Sequence, residues 1–418
     1  MEQRKKAVIA GVNLNNDRDF ANLMEELFNL AEACDIEVVG EIIQKLNKVN
    51  SSHYLGKGKI EEMCKLIEEK DADMVIFDDE LSPSQIRNLE KRLNCTIIDR
   101  TSLILDIFAQ RARTREAQLQ VEIAKLQYML PRLTGFGESM DRQGGGSSLK
   151  NRGAGETKLE LDRRKIEDRI SGLNRELEVL VSQRQNQRKR RKRGDMPVIA
   201  LVGYTNAGKS TVMNAMMDLF NPSIDKQVFE KDMLFATLQT SVRRIDLPDN
   251  KSFLLTDTVG FISKLPHYLI KAFRSTLEEV SEADVLIHVV DYSNANYEKQ
   301  MDVTRDTLKE LGADNIPVIY CYNKIDLVED KIPEDKEDCI YISAREKSGM
   351  DKLVETIRRK IFEDYVCCKL LIPYSRGDIV SYFNDNAVVK SSSYENNGIL
   401  LSLECKKSDY EKYKKYLI

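Results

Sequence analysis

The chain has 418 residues, 42% hydrophobic and 32% charged, which suits a globular protein of several domains and excludes collagen-like or largely disordered classes. Its 64 basic and 68 acidic residues leave a net charge of -4, a balance that taken globally argues against a nucleic-acid partner. The charge is unevenly spread: residues 100–193 hold 22 Lys and Arg against 12 Asp and Glu, a local net of +10, and the remainder carries -14. No stretch approaches the ~18–20 uninterrupted apolar residues of a membrane span, and the opening apolar run is too short for a signal-peptide core. The eight scattered cysteines and three distant histidines show no metal-ligand spacing, so reduced structural thiols in a cytoplasmic protein are expected.

Residues 1–112 alternate short β-type runs (Ala7–Val12, Glu37–Ile43, Met74–Phe77, Thr96–Ile98) with helical patterns near 18–33, 58–69, 82–93 and 101–112. Single strands separated by helices predict an N-terminal α/β domain with a parallel sheet. Gly56 and Gly58 in YLGKGK read either as a turn starting a helix or as a phosphate-holding turn.

Residues 113–194 change character. Leu119, Ile123, Leu126 and Leu130 form one heptad-like seam, and Leu159, Ile166, Ile170, Leu173, Leu177 and Leu180 form a second. Two helices with narrow apolar stripes pair as an antiparallel hairpin. The second, from about Glu156 to Gln183, would run roughly 40 Å at 1.5 Å per residue. Between them, residues 131–155 mix glycine with Arg132, Arg142, Lys150 and Arg152, and read as a tip that reaches a polyanion or as a passive linker. The run Arg188–Arg193 is either a solvated linker or a phosphate contact.

Residues 195–363 return to an α/β pattern expected to form a doubly wound sheet, and residues 364–418 read as a small α+β domain. The buried-type strand Val198–Val202 runs into Gly203-Tyr204-Thr205-Asn206-Ala207-Gly208-Lys209-Ser210, and an apolar helix follows. This is a P-loop in its required context. Its backbone N–H groups would face phosphate oxygens at a helix N-terminus, with Lys209 reaching the β- and γ-phosphates and the Ser210 hydroxyl on Mg²⁺. Asn323-Lys324-Ile325-Asp326 lies 114 residues after Lys209. A fixed carboxylate at Asp326 accepts from both N1–H and the N2 amine of guanine, a donor pair that adenine lacks. Asn323 would hold the other purine edge, the Lys324 stem would cover the ring, and the Ser343-Ala344-Arg345 stretch would supply a backbone N–H to the guanine oxygen.

Asp257-Thr258-Val259-Gly260 follows a strand-like run, so Asp257 would hold Mg²⁺ through water and the Gly260 N–H would sense the γ-phosphate. Thr237, within Phe235-Ala236-Thr237-Leu238-Gln239, would complete the Mg²⁺ shell when a triphosphate is bound. Lys209, Thr237 and Gly260 are therefore the expected catalytic set, acting on GTP and releasing GDP. Many GTPases place glutamine after D-x-x-G to orient the attacking water, but here Phe261 stands there. An apolar side chain cannot polarise water, so slow unassisted hydrolysis is expected.

With these motifs in order behind a helical section, the chain resembles the HflX family of the Obg–HflX group of GTPases. The resemblance rests also on Tyr54–Lys59, Asp99-Arg100-Thr101, Leu130-Pro131-Arg132-Leu133, Gly153–Glu160 and Phe235–Leu238, and on the apolar Phe261. Gln239 departs from it, since many relatives carry Asp there. The resemblance implies association with the large ribosomal subunit, hydrolysis stimulated there, and splitting or rescue of stalled ribosomes. It further implies that the N-terminal domain and hairpin engage ribosomal RNA, with the hairpin tip near the peptidyl transferase region. The free protein is expected to be a monomer. A GTPase switch acting on protein partners without RNA contact is the alternative.

Overall fold

The computed structural model describes residues 4–15, 19–133, 151–192, 196–221, 241–249, 251–266, 268–269, 280–329 and 332–418, and within the helix spanning 151–192 the side chains of residues 160–183. The chain divides into two compact units. Among the described residues, the first takes those up to 189 together with those from 260 to 269, and the second takes the rest.

The first unit opens with β1 (Lys5–Leu14), α1 (Phe20–Ala33), β2 (Ile36–Leu46), α2 (Lys57–Lys70), β3 (Met74–Phe77), α3 (Pro83–Leu93), β4 (Thr96–Asp99) and α4 (Arg100–Arg111). The strands form an all-parallel sheet of order β2-β1-β3-β4, as single strands separated by helices require. β1 and β3 are central and almost wholly buried, which is why they read as continuous apolar runs. Val8, Val12, Val75 and Phe77 pack with Leu55, Ile60 and Met63 on one side of the sheet. Helix starts follow from local chemistry. Ser82 caps α3 with a complete capping box to Gln85, and the Asp99 side chain accepts from the Ser102 N–H to start α4. YLGKGK is a helix start: Gly56 is the N-cap of α2, and its N–H donates to Gln44 Oε1 at 2.8 Å.

The arm follows as α5 (Arg115–Leu133) and α6 (Asn151–Lys192). The predicted seams meet: Leu119, Ile123 and Leu173 are buried together, with Leu126, Ile170, Leu177 and Leu180 packed against them. Helix bounds differ from expectation. Pro131 lies within the last turn of α5, and Asn151–Gly155, expected in the loop, are helical. α6 also runs past Gln183, through residues rich in Arg, Lys and Gln, which are good helix formers.

The second unit contains β5 (Val198–Val202), α7 (Lys209–Phe220), β6 (Ser241–Asp246), β7 (Ser252–Asp257), β8 (Val285–Asp291), α8 (Tyr297–Glu310), β9 (Val318–Asn323), β10 (Cys339–Tyr341) and α9 (Met350–Ile361). The sheet order is β10-β9-β8-β5-β7-β6, parallel except for β6. β5 sits where successive strands diverge to either side, so the loop leaving its carboxyl end lies at the topological switch point where such sheets bind ligands. β11 (Tyr365–Ile372), α10 (Gly377–Asn386), β12 (Val388–Glu395), β13 (Gly398–Lys406) and α11 (Lys407–Lys412) complete the chain. These last strands form an antiparallel sheet of order β11-β13-β12 around Leu370, Phe383, Leu401 and Leu403. None of the eight cysteines is in a disulfide, no group of metal-ligating side chains occurs among the described residues, and no described helix is long and apolar enough to cross a membrane.

Candidate functional site

The site is built on the carboxyl ends of β5, β7, β8 and β9 in the second unit. β5 ends at Val202, and the turn that follows needs glycine at two positions. Gly203 has φ +147°, and a Cβ there would lie 2.2 Å from the Val289 carbonyl of β8, so the loop can cross the sheet end only with glycine. Gly208, at φ +94°, is the N-cap of α7. Tyr204, Thr205 and Ala207 are buried in the turn, and Asn206 is exposed at its crest.

Lys209 is buried, its Nζ donating to the carbonyls of Gly203 at 3.2 Å and Tyr204 at 2.7 Å. The ammonium thus lies back along its own loop, over the ground that phosphates would occupy. Burial pushes its pKa down to about 8, against the opposing pull of the Asp257 carboxylate. The Thr205 hydroxyl is buried and has no partner among the described residues, a polar atom left over in the cradle. Ser210 Oγ donates to Asp257 Oδ2 at 2.6 Å. A hydroxyl and a carboxylate at the head of a helix form an oxygen donor set suited to a hard divalent cation, so these residues fit Mg²⁺. Thr258 follows, fully buried, its hydroxyl donating to the Leu201 carbonyl at 2.6 Å, which ties the D-T-V-G loop to β5.

The residues expected to face a base come from the ends of β9 and β10. Asn323 is 3% exposed and serves as a brace. Its Nδ2 donates to the Ala207 carbonyl, and its Oδ1 accepts from the Ala344 N–H, both at 3.0 Å. P-loop, N-K-x-D segment and Ser343-Ala344-Arg345 stretch are thereby locked together. Within the stretch expected to supply a backbone N–H to guanine, the Ala344 N–H here holds Asn323. Lys324 takes a left-handed backbone, φ 66°, and its Nζ meets Asp291 Oδ2 at 2.7 Å, which holds the stem over the end of β8. Asp326 is exposed, one residue into the short turn Ile325–Leu327.

Gly203–Ser210, Asp257–Val259, Asn323–Asp326 and Ser343–Arg345 are brought together by the second unit at the carboxyl ends of its parallel strands. Gly260 opens the stretch belonging to the first unit. Phe235–Gln239, with Thr237, lie outside the described residues, as do Arg142 and Lys150, and of Arg152 only the helical backbone is described. Arg132 requires correction. It was expected on a polyanion-binding tip, but its side chain is 13% exposed and turned inward. The guanidinium bonds Asp99 Oδ2 at 3.2 Å and the Leu81 carbonyl at 3.1 Å, and stacks 3.4 Å over the Tyr128 ring. Apart from Tyr128, one turn back on the same helix, its partners are contributed by β4 and the β3–α3 loop, which local spacing around residue 132 cannot reveal.

Sequence reasoning also missed four tyrosines, Tyr292, Tyr297, Tyr322 and Tyr341, that cluster beside the Asn323–Asp326 segment, with Tyr322 and Tyr341 stacked at 4.9 Å. Alternation along β9 was the available signal, since Tyr320 and Tyr322 share the face opposite buried Ile319 and Cys321.

Three family models match in succession: "GTP-binding GTPase N-terminal" over residues 21–109, "GTP-binding GTPase Middle Region" over 111–191 and "50S ribosome-binding GTPase" over 198–324. GTPase HflX of Caldanaerobacter subterraneus subsp. tengcongensis is 43% identical over 417 residues, covering 100% of this chain and 94% of that protein. GTPase HflX of Escherichia coli K12 is 37% identical over 400 residues, covering 94% and 92%. A crystal structure of a GTP-binding protein from Sulfolobus solfataricus in complex with GDP aligns with 24% identity and a TM-score of 0.45, covering 86% of this chain and 99% of that one. Full-length identity at this level, with a complete P-loop and N-K-x-D pair, makes this chain a GTP-binding hydrolase that belongs to the HflX family of GTPases.

Proposed function

We propose that this GTPase acts on the large ribosomal subunit, splitting or rescuing stalled ribosomes, and that the subunit stimulates its hydrolysis. The observation that carries this reading is Phe261. It occupies the position from which a glutamine would orient water, and its ring is 2% exposed. The chain's own residues can bind and orient GTP, with Lys209 on the phosphates, Asp326 on the base and Asn323 holding both loops in register. At position 261 the side chain offers no polar group to the attacking water, so an outside group is needed for a fast rate. Ser210 and Thr237 by their hydroxyls, and Asp257 through water, would hold Mg²⁺, which neutralises charge on the phosphates when bound. The name of the matching family model, "50S ribosome-binding GTPase", points to the same partner.

RNA contact is supported by the arm's charge, though not evenly along it. Many of its cations are already matched: Arg115 with Glu176, Arg169 with Glu122, Arg163 with Glu167 and Lys125 with Asp106. Residues 184–193 carry seven basic side chains and no acidic one, so most of the +10 surplus lies there. Arg142, Lys150 and Arg152 remain as tip candidates.

The test is GTP turnover with and without purified large subunits, over a salt series. Strong stimulation, with binding that falls steeply as salt rises, is expected from released phosphate counterions. Neutralising Arg188–Arg193 should flatten that slope, and deleting residues 134–150 should weaken binding. Unchanged turnover with subunits present refutes the reading.

A further inference from the structure

Lys324, the lysine of the N-K-x-D segment, is held by the end of β8 within the second unit. Its Nζ donates to Asp291 Oδ2 at 2.7 Å. The other oxygen of that carboxylate, Oδ1, accepts from the Ser293 hydroxyl at 2.5 Å and from the Ser293 N–H at 3.1 Å. Asp291 stands opposite Asn323 in the parallel pairing of β8 with β9, and the Tyr292 N–H donates to the Asn323 carbonyl at 2.9 Å. The Tyr292 ring packs edge-on against Tyr322 at 5.6 Å and Tyr341 at 5.2 Å, which ties the segment carrying Asp291 to β9 and β10. The carboxylate is thus fixed by its own loop, and the loop by two neighbouring strands.

A lysine side chain has several rotatable bonds and ordinarily loses that freedom when a ligand orders it. Here the stem leaves a left-handed backbone, φ 66°, and its ammonium is already captured. The lysine and aspartate side chains are 23% and 15% exposed, so water screens this pair less than one on the open surface. A stem expected to cover the purine ring is therefore ordered before nucleotide arrives. The cost of ordering it falls on folding and not on binding.

We propose that Asp291, clamped by Ser293, is a positioning residue for nucleotide affinity that acts through Lys324, holding its stem for the purine ring without touching the nucleotide. The proposal rests on Asn323–Asp326 being the base-binding segment, and it does not depend on the ribosome.

The test measures affinities of the full chain for GTP, GDP, inosine triphosphate and inorganic tripolyphosphate, by displacement of fluorescent GDP. The variants are Asp291→Asn, Ser293→Ala, Lys324→Met and Asp291→Asn with Lys324→Met. Asp291→Asn should weaken GTP and GDP about threefold to tenfold, the cost of ordering one free lysine side chain. Inosine triphosphate, which lacks the 2-amine, should weaken by the same factor, because the stem covers the ring and leaves its edge to Asp326. Tripolyphosphate, which has no base, should not weaken, and its binding shows that the variant folds. Ser293→Ala should give a smaller loss in the same pattern. In the Lys324→Met background, Asp291→Asn should cost nothing further. Charge alone predicts the opposite sign, since removing a carboxylate favours an anionic ligand. Wild-type or tighter GTP binding by Asp291→Asn, an equal loss for tripolyphosphate, or an undiminished loss in the Lys324→Met background overturns the proposal. Asp326→Asn separates the two ideas. If it leaves the preference for GTP over inosine triphosphate intact, the base-site reading has failed; if it lowers that preference while Asp291→Asn binds like wild type, only the positioning role has failed.

Discussion

Gly208→Ala offers a quantitative check on how the two nucleotide loops are coupled. At φ +94° an alanine pays roughly 1–2 kcal/mol of left-handed strain. Its Cβ would also lie 2.2 Å from Asn323 Nδ2, so the amide must leave. That side chain is 3% exposed and makes two 3.0 Å hydrogen bonds, to the Ala207 carbonyl and from the Ala344 N–H. Evicting it strands buried backbone groups at about 1–3 kcal/mol each. Gly208→Ala should therefore cost about 3–8 kcal/mol, and Asn323→Ala about 2–6 kcal/mol by the same bonds. The two costs overlap, because the amide is lost in both. The double variant should exceed Asn323→Ala by only the strain, about 1–2 kcal/mol, leaving a coupling equal to the shared loss of the amide's bonds, roughly 2–6 kcal/mol. Titrations with fluorescent GDP read this directly, since about 1.4 kcal/mol is a factor of ten in affinity. Costs that add to within about 0.5 kcal/mol would refute the brace and imply that the two loops act independently.

Three further expectations follow from single residues. Asp326→Asn replaces an acceptor for N1–H and the N2 amine with an amide, so GTP affinity should fall about a hundredfold while xanthosine triphosphate, which carries an oxygen in place of the amine, gains; retained GTP selectivity would unseat the base assignment. Burial holds Lys209 near pH 8 in the protein without nucleotide, and polyphosphate favours its charged form. Binding therefore takes up protons in this range, and GTP affinity should decline by up to tenfold per unit as pH rises above about 8, which calorimetry in buffers of different ionisation heat will show. Arg132→Ala removes ion pairs to buried Asp99 and to Glu80 and its stacking on Tyr128. Asp99 keeps three other donors, from Leu81 N, Ser102 N and Tyr128 Oη, so the loss should be about 2–4 kcal/mol of stability by urea denaturation, and the salt slope of ribosome binding should not move.

The pattern of what could be read in advance has a physical cause. β3 and β5 match the sequence reading residue for residue, and the P-loop and N-K-x-D segments fall at strand ends as expected, because each is specified by neighbours within a few positions. The arm's seams were equally readable, since heptad spacing is local. What escaped is carried by charges whose partners are remote in sequence: Arg132 with Asp99, Lys264 with Asp78, Arg115 with Glu176. A composition count treats such cations as surplus, whereas the fold spends them internally. The net of +10 for residues 100–193 is correct arithmetic but does not say which side chains remain for a polyanion. Pairing across the arm neutralises much of α5 and the middle of α6, and at Arg132 the tip loses one of its four predicted cations. Residues 184–193 hold no acidic side chain at all, so local pairing cannot quench them. Neutralising that run should therefore change salt-dependent ribosome binding more than removing the same number of charges from Arg163, Arg164 and Arg169, each of which already faces a glutamate.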